Sequence, residues 1–246
     1  MIEAPSHIEK SKQSFISEIL EAPFFTELLE DTAPVSKSDE VTTTRCLWLL
    51  SGKGGVGKSF IAANLASELT ETGLKVLLID MTTLHGTAHF FEVCGQLLTL
   101  HDLCTQDSSL QDATVTDSSD VHILHCEPSV FMEKNEVSDQ FFQEFNVVLI
   151  DSDKGYPTTA DTSWKFKNFV VISSPEPASI TNSYSVIKYT SLKIPSANPI
   201  GLIMNRVTSS SEGEQVFNLL NDIAQRHIGQ TINFFGSVNS LDKVRR

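Results

Sequence analysis

Hydrophobic patterning divides the chain near residue 44. Before that point Phe15, Ile16, Ile19 and Leu20 fall on one helical face, Pro23 interrupts, and Phe24, Phe25, Leu28 and Leu29 resume the apolar stripe. The polar stretch Ser36 to Thr44 reads as a linker. From Arg45 onward the pattern alternates. Cys46-Leu47-Trp48-Leu49-Leu50 is a buried-strand run, followed by a glycine-rich turn and a helical stretch from about Lys58 to Thr72 that Gly73 ends. Strand-like runs recur at Val76–Ile79, Val121–Leu124, Val147–Ile150, Phe169–Ile172, Ile200–Met204 and about Ile232–Phe235, with helical stretches at Ser179–Thr190 and Glu212–His227. Continuous apolar strands separated by helices predict a doubly wound α/β fold, its mainly parallel sheet covered by helices on both faces. Ligands of such sheets lie at the carboxyl ends of the strands. The domain reading is a 1–44 extension and a 45–246 domain.

Composition narrows the classes. Lys and Arg number 18 against 31 Asp and Glu, a net charge of −13, which speaks against a direct nucleic-acid binder because phosphate neutralisation supplies most non-specific affinity. Apolar runs are strand-sized, far from the roughly 20 residues of a membrane helix. The amphipathic segment before residue 44 carries Glu18, Glu21, Glu27 and Glu30. Anionic lipid repels such a face, so membrane association is disfavoured, and docking on the chain's own domain is the plainest expectation. The four cysteines, Cys46, Cys94, Cys104 and Cys126, form no C-x-x-C pair. They read as reduced thiols in a cytoplasmic protein.

The strongest chemical signal is Gly52-Lys53-Gly54-Gly55-Val56-Gly57-Lys58-Ser59, with Phe60 next in the helix. It matches G-x-x-x-x-G-K-[ST] in the required context of strand, loop and helix. Glycines let backbone N–H groups converge on phosphate oxygens, and the helix N-terminus adds the positive end of its dipole. Lys58 is placed to reach the β- and γ-phosphates of a nucleotide, and the Ser59 hydroxyl to ligate Mg²⁺. Asp80, ending the strand Val76-Leu77-Leu78-Ile79, is a second candidate for Mg²⁺ or its water. His85 and His89 are spaced i, i+4 without a third ligand and do not make a metal site.

The K-G-G-V-G-K-S form of the loop resembles the deviant Walker A motif of the MinD/ParA ATPases. The resemblance implies ATP/ADP and Mg²⁺ as cofactors and an ATP-sandwiched homodimer in which Lys53 acts on the partner's nucleotide. Members commonly read D-x-D where this chain reads Asp80-Met81-Thr82. A hydroxyl can donate and accept hydrogen bonds but is no general base near neutral pH, so ATP binding should survive the change more readily than hydrolysis. Asp151 stands at the Walker B position, and Asp153-Lys154 replace the small residues usual after it. Either Asp153 supplies the carboxylate missing at 82, or both changes mark a switch released from turnover. Electrostatics favours the second, because an uncompensated carboxylate beside a triphosphate is unfavourable.

Later segments resemble one branch of that group. Ser174-Pro175-Glu176-Pro177-Ala178-Ser179-Ile180-Thr181 and the following Tyr184, Ile187 and Lys188 look like the T-P-E-P-T-S-I-T stretch of the FlhG/FleN (YlxH) regulators of flagellar number. Asn205-Arg206 resembles the strand-end N-R of the same branch, where the Asn amide reads adenine; a strand-end turn residue is the plain alternative. The branch's N-terminal D-Q-A-x-x-L motif and C-terminal membrane helix find no counterpart. The implied function is an ATP-dependent dimerising switch with a flagellar or transcriptional protein partner. Its site residues are Gly52 to Phe60, Asn205 and Arg206 for nucleotide, Ser59, Asp80 and Asp151 for metal, and Lys53, Lys58 and Asp80 for catalysis. The competing expectation is a degenerate interaction module without useful turnover.

Overall fold

The computed structural model describes residues 19–23, 25–27, 44–82, 86–91, 98–99, 110–128, 141–153, 168–194 and 199–240. In chain order the elements are β1 (Arg45–Leu50), α1 (Lys58–Glu71), β2 (Val76–Met81), the short α2 (Leu110–Ala113), β3 (Thr114–Thr116), β4 (His122–His125), β5 (Val147–Ser152), β6 (Asn168–Ser173), α3 (Pro177–Lys193), β7 (Ile200–Val207), α4 (Ser210–Ile228) and β8 (Ile232–Asn239). They form one eight-stranded sheet in the order β3-β4-β2-β5-β1-β6-β7-β8. All its pairings are parallel except β3 with β4.

Strand alternation sorts the core into two layers. Leu47 and Leu49 of β1 cluster with Ile61, Leu65 and Leu69 of α1, while Trp48 and Leu50 cluster with Val186 and Ile187 of α3 and Leu220 and Ala224 of α4. The predicted doubly wound arrangement, helices on both faces, is what the chain adopts. β1 sits centrally between β5 and β6, so the loop leaving it opens where the winding of the sheet reverses.

Two departures have local causes. The antiparallel β3 was not predicted: Thr114-Val115-Thr116 is too short and too exposed to show an apolar run. β7 and β8 run past their predicted ends at Met204 and Phe235 to Val207 and Asn239, with register shifts between Leu202 and Ile203 and between Asn205 and Val207.

Of the N-terminal segment, Ile19, Ala22 and Phe25 are buried in the α1-side layer, and the Phe25 ring meets Phe235 of β8 edge-on at 5.5 Å. These three residues thus pack against the α1 side of the sheet. Phe15, Ile16, Phe24, Leu28, Leu29 and the polar stretch 36–43 lie outside the described residues, as do His85, Cys94, Cys104 and Lys154. Among the described residues no helix is long and apolar enough to cross a membrane.

Candidate functional site

The loop between β1 and α1 is built by close approach. Gly52 packs on the backbone of α3: a Cβ there would lie 2.3 Å from the carbonyl carbon of Asn182, so no larger residue fits. Gly57 caps α1 in the left-handed region with φ 92°, which glycine adopts without strain. No side chain caps α1 and its first turn holds no acid, so the positive helix end is left available to an anion. Val56 is buried, Gly54 and Gly55 are exposed, and Gly55 is also left-handed with φ 75°.

Lys58 and Ser59 open the helix. The Lys58 ammonium forms a buried ion pair with Oδ1 of Asp151 at the end of β5. Burial holds the Asp151 carboxyl above its ordinary range, although Lys58 and the Ser59 hydroxyl pull it down. Its Oδ2 is buried and makes no hydrogen bond among the described residues. That orphaned oxygen beside a serine hydroxyl fits Mg²⁺, a hard cation that binds through one or two carboxylates with phosphates and waters. Among the described residues no cluster of three His, Cys, Asp or Glu could hold a metal alone.

Asp80, fully buried at the end of β2, is engaged differently. Its Oδ1 accepts from the Thr82 backbone N–H at 2.9 Å and the Thr82 hydroxyl at 2.6 Å, and its Oδ2 accepts from the Thr87 N–H at 3.0 Å. The Thr82 Oγ1 in turn accepts from the Gly86 N–H at 2.6 Å. Asp80 therefore holds Thr82 and Thr87, and the Gly86 backbone comes close to both Thr82 and Ser59.

Lys53 is half-exposed and pairs with Glu176, the residue capping α3. The lysine holds the Glu176 carboxyl below its ordinary range, with Arg206 adding to the effect. Glu176 was missing from the sequence-derived site. Its placement follows from β6 lying beside β1, a pairing that sequence alone does not give.

A cavity of about 550 Å³ opens beside the loop, lined in part by Gly57, Phe60, Asn205, Arg206, Val238 and Ser240. Phe60 also packs edge-on to Phe90 at 5.9 Å. The Asn205 amide bonds to the chain itself: Nδ2 donates to the Val56 carbonyl at 2.6 Å and Oδ1 accepts from the Arg206 N–H at 2.8 Å. Arg206 is exposed and left-handed, with φ 60°. The structure thus gathers Gly52 to Phe60, Asp80, Asp151, Asn205 and Arg206 around the end of β1.

Residues away from this point are explained by packing. Burial, then Asp80 and Glu127, push the Cys126 thiol up to about 12, which leaves it inert. His122 is lowered by burial and packs edge-on to Phe145.

A mainly parallel sheet, covered by helices on both faces, with a glycine-rich loop leaving its central strand is a P-loop fold of the MinD kind. Residues 47–93 match the CobQ/CobB/MinD/ParA nucleotide binding domain. The chain is similar to the flagellum site-determining protein YlxH of Helicobacter pylori, with 28% identity over 233 residues covering 87% of this chain and 76% of the relative. It is 23% identical over 208 residues to the antiactivator FleN of Pseudomonas aeruginosa, covering 79% and 73%. In fold it resembles MinD of the MinC:MinD cell division complex of Aquifex aeolicus, with TM-score 0.64, 20% identity and coverage of 80% and 82%. The septum site-determining protein MinD of Pyrococcus horikoshii, complexed with Mg-ADP, gives TM-score 0.61 and 23% identity over 82% and 84% of the two chains.

Proposed function

We propose that this chain is an ATP-dependent switch. Mg²⁺ and ATP occupy the phosphate loop and close a homodimer in which Lys53 reaches the partner's nucleotide. The closed form engages a regulatory protein in the control of flagellar number or placement. In this reading residues 45–246 are the nucleotide-binding unit, residues 1–44 are an extension to it, and the protein works in the cytoplasm without binding nucleic acid. The observation that carries it is the Lys58–Ser59–Asp151 constellation at the uncapped N-terminus of α1. The similarity to YlxH and FleN supports the flagellar assignment, which rests on relatives rather than on site chemistry.

The chemistry follows from the residues. The Lys58 ammonium moves from Asp151 to the β- and γ-phosphates, while the backbone N–H groups of the loop hold their oxygens. Ser59 and Asp151 would hold Mg²⁺, with Asp80 behind them; the bound cation would offset phosphate charge. The Phe60–Asn205–Arg206 cavity would take the base. Lys53 must leave Glu176 to act across an interface. Thr82 offers no base for water, so turnover is slow or depends on a partner. The Thr82 hydroxyl, bonded on both sides, also favours a second reading, an interaction module without useful turnover.

Calorimetry and sedimentation with Mg-ATP test the switch. The wild type is expected to bind ATP and shift from monomer to dimer, Lys58→Ala to bind none, and Lys53→Ala to bind ATP but stay monomeric. A wild type that fails to bind ATP would remove the switch and leave the interaction module.

A further inference from the structure

Asn205 ends the central part of β7, and its amide is nearly buried between that strand and the phosphate loop, 5% exposed. Its two hydrogen bonds fix which end is which: a carbonyl oxygen, that of Val56, must meet the NH₂, and a backbone N–H, that of Arg206, must meet the oxygen. The same Nδ2 lies 2.3 Å from where a Cβ on Gly57 would stand, so the loop rests directly on this amide. The strand bends to present it, with a register shift between Asn205 and Val207 and a left-handed Arg206 beside it. Such strain in a non-glycine residue persists only where the surrounding structure enforces it.

From this geometry we infer that Asn205 is a positioning residue for phosphate. It braces the Val56–Gly57 corner of the loop against β7 and sets the cradle for the triphosphate, over and above any contact with the base. The inference rests on the nucleotide reading of the site. Removing the brace lets the loop relax, so affinity falls for every ligand that carries the triphosphate, with or without a base. A buried hydrogen bond of this kind corresponds to roughly a tenfold loss.

Calorimetry of the wild type, Asn205→Ala and Asn205→Asp with Mg-ATP, Mg-GTP and inorganic triphosphate with Mg²⁺ tests it. Both variants are expected to lose affinity for all three by a similar factor, roughly tenfold in Asn205→Ala. Asn205→Asp should lose more, because its carboxylate cannot donate to the Val56 carbonyl. Loss of ATP affinity with triphosphate binding intact would make Asn205 a base reader and overturn the brace; so would an Asn205→Asp protein that binds as the wild type does. Should the variants not fold, the side-chain ¹⁵N amide resonance of Asn205 in the wild type decides. Equal shifts with triphosphate and with ATP support the brace, and a shift with ATP alone overturns it. A wild type that binds none of the three removes the nucleotide reading, and the brace with it.

Discussion

At position 82 a hydroxyl stands where D-x-D would place a carboxylate. The structure puts that hydroxyl between the Asp80 carboxylate, to which it donates, and the Gly86 N–H, from which it accepts. A carboxylate at 82 could accept from Gly86 but would face Asp80 without a proton to offer. Thr82→Ser is therefore expected to keep ATP affinity and stability, whereas Thr82→Val should lose about 1–3 kcal/mol, the cost of stranding buried polar partners. Thr82→Asp is expected to lower stability while raising ATP turnover, because it returns the carboxylate that water lacks here. Urea unfolding of the three variants beside a phosphate-release assay checks the series; no gain in turnover by Thr82→Asp would show that the missing carboxylate is not what limits it. Lys58, Ser59 and Asp151 were legible because motif and strand end name them. Glu176, by contrast, reaches Lys53 across 123 positions of chain, a distance only the sheet order closes.

At the scale of elements, legibility followed local chemistry. α4 announces both its ends, the Ser209 hydroxyl accepting from the Glu212 N–H and Gly229 closing the helix with φ 65°, so its prediction fell within a turn. β3, with three residues and no apolar run, had no such signal. The ion pair between the β1–α1 loop and the start of α3 joins two elements that must separate if Lys53 crosses to another subunit, and it can be followed by pH. Glu176 carries a lowered carboxyl pKa, so the pair's contribution is present above the ordinary glutamate value of 4.5 and is lost as pH falls through the lower folded value. In a carboxyl-carbon NMR titration Glu176 is expected to titrate below the ordinary range in the wild type and closer to it in Lys53→Ala, where only Arg206 still lowers it. Saturating Mg-ATP should move the wild-type value up toward that of the variant. No movement on adding ATP would mean that Lys53 stays where it is.

In the whole molecule, Ile19, Ala22 and Phe25 join the core layer that α1 forms on one side of the sheet, together with Phe235 and Val238. The apolar stripe before Pro23 was legible as amphipathic, but nothing in it names β8 as its seat. Phe25 is fully buried, so Phe25→Ala is expected to cost about 3–5 kcal/mol, read as a lower urea midpoint at an unchanged slope. If the midpoint holds, the extension is an ornament rather than part of the core.

The Phe25–Phe235 contact also sets a clock. The two residues lie far apart along the sequence, and a ribosome adding about 5–20 residues per second takes roughly 10–40 s to pass from one to the other. Throughout that interval the Phe25 ring has no seat on β8. It stands open to chaperones until that strand emerges, and only then can this layer of the core close.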